Sequence, residues 1–187
     1  MSIRHAVLAA LLEGEASGYQ LAKRFDVSVA NFWHASPQQL YAELPRLEAA
    51  GLISGQTVRQ QGRPDKRVYR LSGQGSDELA AFVSSPSRPT AIRDDLMVKV
   101  QAAEVADSAP LIAALEKRAG HAERRSALYQ QLLDAMLAGR SERDYLRVAD
   151  RVGPYLTCVR GRTFEQENLS WYRWTAETLQ ARRDSVS

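Results

Sequence analysis

The chain has 187 residues, of which 44% are hydrophobic, and a formal net charge of +3. This length suits one large or two small domains, and no apolar run is long enough to cross a bilayer, which excludes an integral membrane protein. The N-terminus lacks the pattern of a secretory signal and the single cysteine cannot form an intramolecular disulfide, so we expect a cytoplasmic protein with no membrane partner.

Two helices are predicted at the start of the chain. Apolar residues recur at helical spacing from Ile3 to Leu12, and Gly14 marks the end of this first helix. Ser17 is suited to cap a second, short helix that runs to Phe25. The connection that follows is longer than a minimal turn, so we expect the third helix to have its own start signal.

A third helix is predicted over residues 37–50. Ser36 is suited as its N-cap, and Pro37 is tolerated in a first helical turn. Its apolar residues fall at i, i+4 and i+7, so they share one face that must be buried. They are Leu40, Leu44 and Leu47.

The opposite face of this third helix is polar. It carries Gln38, Gln39, Glu43 and Arg46. Amide and guanidinium side chains pair with base edges or phosphates in a DNA major groove, which favours a recognition helix. Pro45 removes the amide that would bond to the carbonyl of Tyr41, and it predicts a kink at that turn.

Two short β-prone runs follow, residues 52–58 and 68–71, with a basic hairpin tip at residues 60–67. Three helices followed by a strand, a basic tip and a strand predict a winged helix-turn-helix, so the fold class is mainly α with a small β-wing. In the loop before the third helix, Phe32 and Trp33 either fill the junction between the domains or contact DNA. We predict that they fill the junction, because leaving aromatic rings exposed to water is costly.

The positive charge lies in the same region. Residues 1–75 hold nine basic and six acidic side chains, whereas residues 76–187 hold sixteen of each. The basic residues concentrate around the wing, at Arg59, Arg63, Lys66, Arg67 and Arg70. Such a patch supplies the salt-dependent, sequence-independent part of DNA affinity.

Three motifs stand out within residues 3–82. They are Gly18-Tyr19-x-Leu21, Tyr41-x-x-Leu44-x-x-Leu47-Glu48-x-x-Gly51-Leu52-Ile53 and Gly62-Arg63-Pro64-x-Lys66-x-x-Tyr69-x-Leu71-Ser72-x-x-Gly75. Together they resemble the PadR family of transcriptional regulators. The resemblance implies a DNA-binding domain followed by the helical dimerisation domain of the longer members. It also implies a small aromatic effector, since some relatives respond to phenolic acids or drug-like aromatics.

The domain organisation follows from a short Pro/Ser-rich stretch. We predict a winged helix-turn-helix domain at residues 1–84, a linker at 85–90 and a helical domain at 91–187. Everything after the linker is expected to be helical: a first helix over residues 92–104, a long helix ending before Gly139, and a last helix over residues 153–181.

The long helix carries a seam of alternating three- and four-residue steps. Its members are Ile112, Leu115, Ala119, Ala122, Tyr129, Leu133 and Met136. Such a seam either packs against the last helix of the same chain or forms a dimer interface, and we predict the dimer. Trp171 and Trp174 of the last helix are assigned to the same interface, with a pocket for a flat apolar ligand as the alternative.

No pattern for chemistry appears. The three histidines are scattered, and none of the usual hydrolase, zinc or phosphate-binding motifs is present, so we expect neither catalysis nor a metal or other cofactor. Cys158 is predicted to be a small core residue, with a redox sensor next to Arg160 and Arg162 as the alternative.

We therefore predict a homodimeric repressor that reads a palindromic operator through the helix 37–50 and the basic wing 59–70. Repression is the simpler outcome, because occupancy alone blocks polymerase. The predicted DNA-binding residues, with the glutamines on bases, are Tyr19, Lys23, Ser36, Gln38, Gln39, Tyr41, Arg46, Arg63, Lys66 and Arg67. The alternative is a protein-interaction adaptor without sequence-specific DNA binding, which has no need of a cationic hairpin tip.

Overall fold

The computed structural model describes residues 3–25, 35–60, 62, 65–87 and 93–186. Of the residues named above, Phe32, Trp33, Arg63 and Pro64 lie outside the described residues, as do part of the predicted linker 85–90 and the first residue of the predicted helix 92–104. The chain divides into two compact units, residues 1–89 and residues 90–187. Each unit is described below by itself.

The first unit is a winged helix-turn-helix, as predicted. Its elements are α1 (Ile3–Leu11), β1 (Ala16–Ser17), α2 (Gly18–Arg24), α3 (Pro37–Ala49), β2 (Ile53–Val58), β3 (Lys66–Leu71) and α4 (Gly73–Val83). The strands form one antiparallel sheet in the order β1, β3, β2. The sequence analysis missed β1, because two residues are too few to show the alternation of a strand.

The wing is the hairpin formed by β2 and β3. Its register runs from Ile53 opposite Leu71 to Val58 opposite Lys66, so the tip is the segment 59–65. On the other side of β3, Ala16 of β1 pairs with Tyr69. The turn after α1 is thereby attached to the strand that carries most of the basic residues of the wing.

The leucine face of α3 lies in the core of the first unit. Leu40, Leu44 and Leu47 are each 1% exposed, which confirms the predicted buried face. They pack in one cluster with residues of α1, α2 and the sheet. The helix continues through the exposed Pro45 to Ala49. Its buried face therefore fixes which side of α3 points outward.

The second unit is entirely helical in the part that the structure describes. It contains α5 (Asp95–Gln101), a 3₁₀ turn (Ala103–Val105), α6 (Ala109–Leu137), α7 (Glu142–Val148) and α8 (Gly153–Val186). The long helix α6 ends where Ala138 and Gly139 both adopt positive φ, as Gly139 had predicted. Among the described helices, none has both the length and the apolar character needed to cross a membrane.

The predicted dimer seam of α6 is covered by α8 of the same chain. Leu115, Tyr129 and Leu133 are at most 1% exposed in a single chain. They belong to two apolar clusters that α6 shares with α8, and Met136 packs against one of them. The other buried members of the seam are Ile112, Ala119 and Ala122. The assignment of these side chains to a dimer interface is therefore corrected: they form the core of a helical hairpin, which was the alternative.

A polar layer lies between the two apolar clusters. The Nε of Arg125 donates to a carboxylate oxygen of Glu165 at 2.9 Å, and its Nη2 donates to the hydroxyl of Tyr129. Nearby, the Sγ of Cys158 donates to the Tyr129 carbonyl at 3.5 Å. Burial raises the pKa of the Cys158 thiol, although Arg162 acts in the opposite direction. A buried thiol with a raised pKa is a core residue rather than a redox sensor.

Candidate nucleic-acid interface

The start of α3 is fixed by a capping box. The hydroxyl of Ser36 accepts from the backbone N–H of Gln39 at 3.2 Å, and the backbone N–H of Ser36 donates to the Gln39 side-chain oxygen at 2.9 Å. Both ends of this reciprocal pair satisfy donors that a helix start leaves open. Ser36 and Gln39 thus hold the first turn, whereas the neighbouring side chain of Gln38 is exposed.

The outward face of α3 mixes polar side chains with the exposed Ala42, Pro45 and Ala49. Tyr41 is 48% exposed, and the side chain of Arg46 is 77% exposed. Arg46 lies 3.6 Å from the carboxylate of Glu43, one turn earlier on the same helix. That ion pair shares the charge of Arg46, whereas Gln38 and Tyr41 are exposed near the start of α3.

The start of α2 lies directly against α3. A methyl group on Gly18 would come within 2.5 Å of Cε1 of Tyr41, so the Tyr41 ring would have to move if position 18 carried a side chain. The next residue, Tyr19, is 63% exposed, and the Nζ of Lys23 lies 5.0 Å from the centre of its ring. This cation–π contact holds Lys23 over the exposed edge of α2. The structure therefore brings Tyr19, Lys23 and Tyr41 to neighbouring exposed positions.

The end of α3 turns into β2 through a glycine. Gly51 has a φ of 71°, its N–H donates to the carbonyl of Glu48, and the N–H of Leu52 donates to the carbonyl of Leu47. These two bonds form a Schellman motif, which needs a left-handed residue at this position. This turn thus fixes the point at which β2 leaves α3.

The start of α4 rests on the same turn. The hydroxyl of Ser72 donates to the carbonyl of Gly51 at 2.6 Å and accepts from the N–H of Gly75 at 3.0 Å. A methyl group on Gly75 would lie 2.1 Å from the carbonyl oxygen of Leu52. Gly75 is thus required where α4 crosses the junction between α3 and β2.

A carboxylate at the end of α3 holds both strands of the wing. The Oε1 of Glu48 accepts from Nη2 of Arg67 at 2.6 Å and from the backbone N–H of Gly55 at 3.0 Å, while Oε2 accepts from Nε of Arg67 at 3.2 Å. We call Glu48, Gly55 and Arg67 the helix–wing clamp. Arg67, predicted to contact DNA, is therefore paired with Glu48 in the unbound chain.

The clamp is stable in the neutral pH range. The hydrogen bond from Arg67 holds the pKa of the Glu48 carboxyl below its usual value of 4.5. A carboxyl whose pKa is lower in the folded than in the unfolded chain stabilises the fold above its unfolded pKa. That contribution is lost as the pH falls through the folded pKa. The clamp is therefore expected to open only in acid.

The other described basic residues of the wing lie at exposed or half-buried positions. Arg70 and Arg59 are both exposed, and Arg70 lies 3.7 Å from the carboxylate of Glu15. Lys66 is half-buried at the first position of β3, next to the tip. The residue predicted at the tip itself, Arg63, lies outside the described residues.

Sequence reasoning assigned no role to Glu48 or Gly55, although two signals were present. An acidic residue in the last turn of a helix is unfavourable next to the negative end of the helix dipole. A glycine inside a strand has no side chain to pack and marks a close approach. Each residue is locally unfavourable, and the clamp explains both.

The described residues contain no cluster suited to a metal ion. None of their histidine, cysteine and acidic side chains form a group of three or more that could hold a metal ion. His5 is stacked on Phe82, with ring centres 4.0 Å apart, and lies 3.1 Å from the carboxylate of Glu78. These contacts join α1 to α4 and have a structural role.

Two family models match the chain, one in each unit. The model described as "Transcriptional regulator PadR-like family" matches residues 7–81. The model described as "Virulence activator alpha C-term" matches residues 92–180.

Two relatives are similar in sequence. The probable transcriptional regulator Rv1176c of Mycobacterium tuberculosis is 35% identical over 195 residues, which cover 98% of this chain and 100% of that protein. The negative transcriptional regulator PadR of Bacillus subtilis is 32% identical over 98 residues, 52% of this chain and 54% of that protein. The first relative thus matches over its full length.

Solved structures agree on the fold. PadR of Bacillus subtilis in complex with operator DNA superimposes with a TM-score of 0.76 at 22% identity, covering 95% of this chain and 97% of that one. The same protein in complex with p-coumaric acid gives a TM-score of 0.68 at 22% identity, covering 95% and 98%.

Proposed function

The chain belongs to the PadR-like family of transcriptional regulators, and from that premise we propose that it is a homodimeric repressor that reads a palindromic operator with α3 and the wing. The family and the relatives are regulators and not enzymes. One observation carries the proposal: the leucine face of α3 is buried, so Gln38 and Tyr41 point outward from a fixed first turn. Side chains at the start of a recognition helix are those that reach base edges in helix-turn-helix proteins.

We assign different roles to the exposed residues. Gln38 reads a base edge, because its amide is exposed and a glutamine pairs with adenine in the major groove. Ser36 and Gln39 hold the helix start. The capping box uses the side-chain oxygen of Gln39, and its side-chain N–H groups donate to a base edge. The backbone phosphates are contacted by Tyr19, Lys23, Tyr41, Arg46, Arg63 and Lys66.

Dimerisation is assigned to the outer face of α8. Leu156 and Trp174 are 54% and 63% exposed, and they lie eighteen positions apart, which is five full helical turns and therefore the same face. The same face has a shallow, open depression, here called the outer groove. It is lined by Thr163, Gln166, Glu167, Ser170, Trp171 and Trp174. An exposed aromatic face of this kind is typical of a surface that a partner covers.

The small aromatic effector is part of the same proposal. All residues of the outer groove come from one helix, so a single chain does not enclose a flat ligand there. A second copy would supply the opposite wall, and enclosure is what a small-molecule site needs. p-Coumaric acid is the ligand to test, because PadR of Bacillus subtilis, which has a similar fold, was solved in complex with it.

Repression follows from occupancy. A dimer on two half-sites about one helical turn apart covers enough DNA to exclude polymerase without a further contact. The Bacillus subtilis relative is named a negative regulator, and this chain spans about half of its length. The test is to enrich duplexes from a randomised library with the full chain, and to map the footprint. A twofold-symmetric enriched sequence supports the proposal, and no enrichment over a scrambled duplex would overturn it.

Replacing Gln38 with alanine should relax the sequence preference at one position of each half-site. The loss of a paired amide costs about 1–3 kcal/mol of discrimination against the wrong base. Competition between the enriched duplex and single-position variants measures it. Gln131→Ala, which removes an exposed glutamine from α6 in the second unit, is the matched control. An unchanged preference at every position in Gln38→Ala would remove Gln38 from the base-reading residues.

Replacing Lys66 with alanine should weaken binding to all DNA sequences alike. A phosphate contact releases one counterion, so the slope of log affinity against log salt should become shallower by about one unit. Affinities for enriched and scrambled duplexes across a salt series measure this. Lys117→Ala, at an exposed position of α6, is the control. A slope equal to that of the unmodified protein would contradict the phosphate assignment.

A further inference from the structure

The helix–wing clamp connects three elements through one side chain. Glu48 belongs to α3, Gly55 to β2 and Arg67 to β3. Three N–H groups, two from the guanidinium and one from the backbone, meet the two carboxylate oxygens at 2.6 to 3.2 Å. A guanidinium that binds a carboxylate through two N–H groups fixes orientation as well as distance. The clamp therefore constrains the angle between the helix and the hairpin.

The surroundings of the clamp are shaped to receive the carboxylate. A methyl group on Gly55 would lie 2.8 Å from Oε1 of Glu48 and 2.6 Å from Nε of Arg67. Arg67 lies opposite Thr57 in the hairpin, and Thr57 is two positions after Gly55 on β2. Position 55 and Arg67 therefore face the same side of the sheet. Any other residue at position 55 would push the ion pair off the strand.

The ion pair is not explained by stability alone. Its side chains are 28% and 48% exposed, and pairs with this much solvent contact contribute little to folding. The acid also lies in the last turn of α3, where the helix dipole disfavours it. Elements that are locally unfavourable and mutually adapted are expected at functional positions.

We infer that Glu48 and Arg67 are positioning residues for DNA recognition: the clamp sets the wing at one angle to α3, and it keeps Arg67 from contacting phosphates indiscriminately. The inference rests on the proposed DNA-reading function. With the clamp closed, α3 and the wing engage DNA together only where the groove geometry fits both. With the clamp open, the outer part of the wing loses its link to α3, and Arg67 becomes an additional cation for any duplex.

The predicted consequence is a loss of selectivity. Glu48→Gln keeps the size of the side chain but removes its charge, so affinity for the enriched duplex should fall while affinity for a scrambled duplex rises. The ratio of the two affinities should drop by about tenfold, which is typical of coupling within one hydrogen-bonded network. Asp77→Asn is the matched control, because it removes one negative charge from an exposed position of α4 in the same unit, outside α3 and the wing. Its ratio should stay unchanged.

Arg67→Lys separates positioning from direct contact. Lysine keeps the positive charge but lacks the planar fork that binds the two carboxylate oxygens. If Arg67 acts only by contacting phosphate, Arg67→Lys should bind both duplexes like the unmodified protein. If it acts through the clamp, its selectivity should fall to that of Glu48→Gln. The double variant Glu48→Gln with Arg67→Lys should then lose no more than either single variant.

The experiment measures affinities of the full-length variants for the enriched and scrambled duplexes, with thermal unfolding midpoints as a check on folding. Reduced ratios in Glu48→Gln and Arg67→Lys, at unchanged midpoints, support the inference. Ratios equal to those of the unmodified protein and Asp77→Asn would overturn it while leaving the proposed function intact. If Glu48→Gln is poorly folded, Arg67→Lys decides alone. If the unmodified protein itself shows no preference, both the proposed function and this inference fail.

Discussion

Replacing Gly75 with alanine is expected to destabilise the DNA-binding unit by about 3 kcal/mol, at the upper end of the usual cost of overpacking. The added methyl group would lie 2.1 Å from the carbonyl oxygen of Leu52 and 2.8 Å from Cδ1 of Leu71. The side chain of Leu71 has rotamers available. The carbonyl of Leu52 does not yield in this way, because it is backbone and accepts from the N–H of Ser72 at 3.1 Å.

Helix propensity acts in the opposite direction and is the weaker effect. Alanine stabilises a helix interior relative to glycine by about 1 kcal/mol at most. Gly73→Ala measures that term separately, because a methyl group at Gly73 would meet nothing within 4 Å. The control should therefore be neutral or slightly stabilising.

Hydrogen exchange resolves the result by unit. Since the chain holds two compact units, peptides from α1 and α4 should lose protection in Gly75→Ala, whereas peptides from α6 and α8 should keep it. Urea unfolding of the same variants gives the change in free energy. Equal protection and stability in Gly75→Ala and Gly73→Ala would mean that α4 can shift away from the turn at little cost.

The elements of the first unit could be predicted because their signals are local. The spacing of Leu40, Leu44 and Leu47 indicates the buried face of α3, and the capping residue Ser36 indicates where the helix begins. Gly51 marks the turn by its positive φ. Each of these features depends on neighbours within a few residues in sequence.

The clamp and the glycine contacts could not be predicted in the same way. Glu48 and Arg67 are nineteen positions apart, and they meet only because the wing has one particular register. The need for glycine at position 75 depends on a carbonyl of the preceding turn. Such contacts result from tertiary packing, so a single sequence contains the residues but not their pairing.

The seam of α6 shows the limit of a periodic pattern. Apolar residues at steps of three and four predict that a helix covers that face, but not whether the covering helix belongs to the same chain. In this protein α8 covers it, with Leu115 and Leu133 fully buried. The surface that we propose for a partner is the opposite side of α8, where Trp174 lies.

Replacing Trp174 with glutamate is expected to separate the proposed dimer and to lower operator affinity by about 100-fold or more, since linked half-site binding commonly contributes 10²–10⁴. Trp174 is 63% exposed in the single chain, so the substitution should leave the fold of one subunit intact. In a covered interface the same carboxylate would be buried without a partner, which disfavours association strongly. Affinity for an isolated half-site should stay unchanged.

The mass in solution and the DNA affinity must therefore change together. Sedimentation should show a dimer for the unmodified protein and a monomer for Trp174→Glu. Val105→Glu, at a position that is 85% exposed in the same unit and outside the outer groove, should remain dimeric. A Trp174→Glu variant that stays dimeric would place the interface elsewhere. A monomer with full operator affinity would refute the twofold reading, because one recognition helix would then suffice for the whole site.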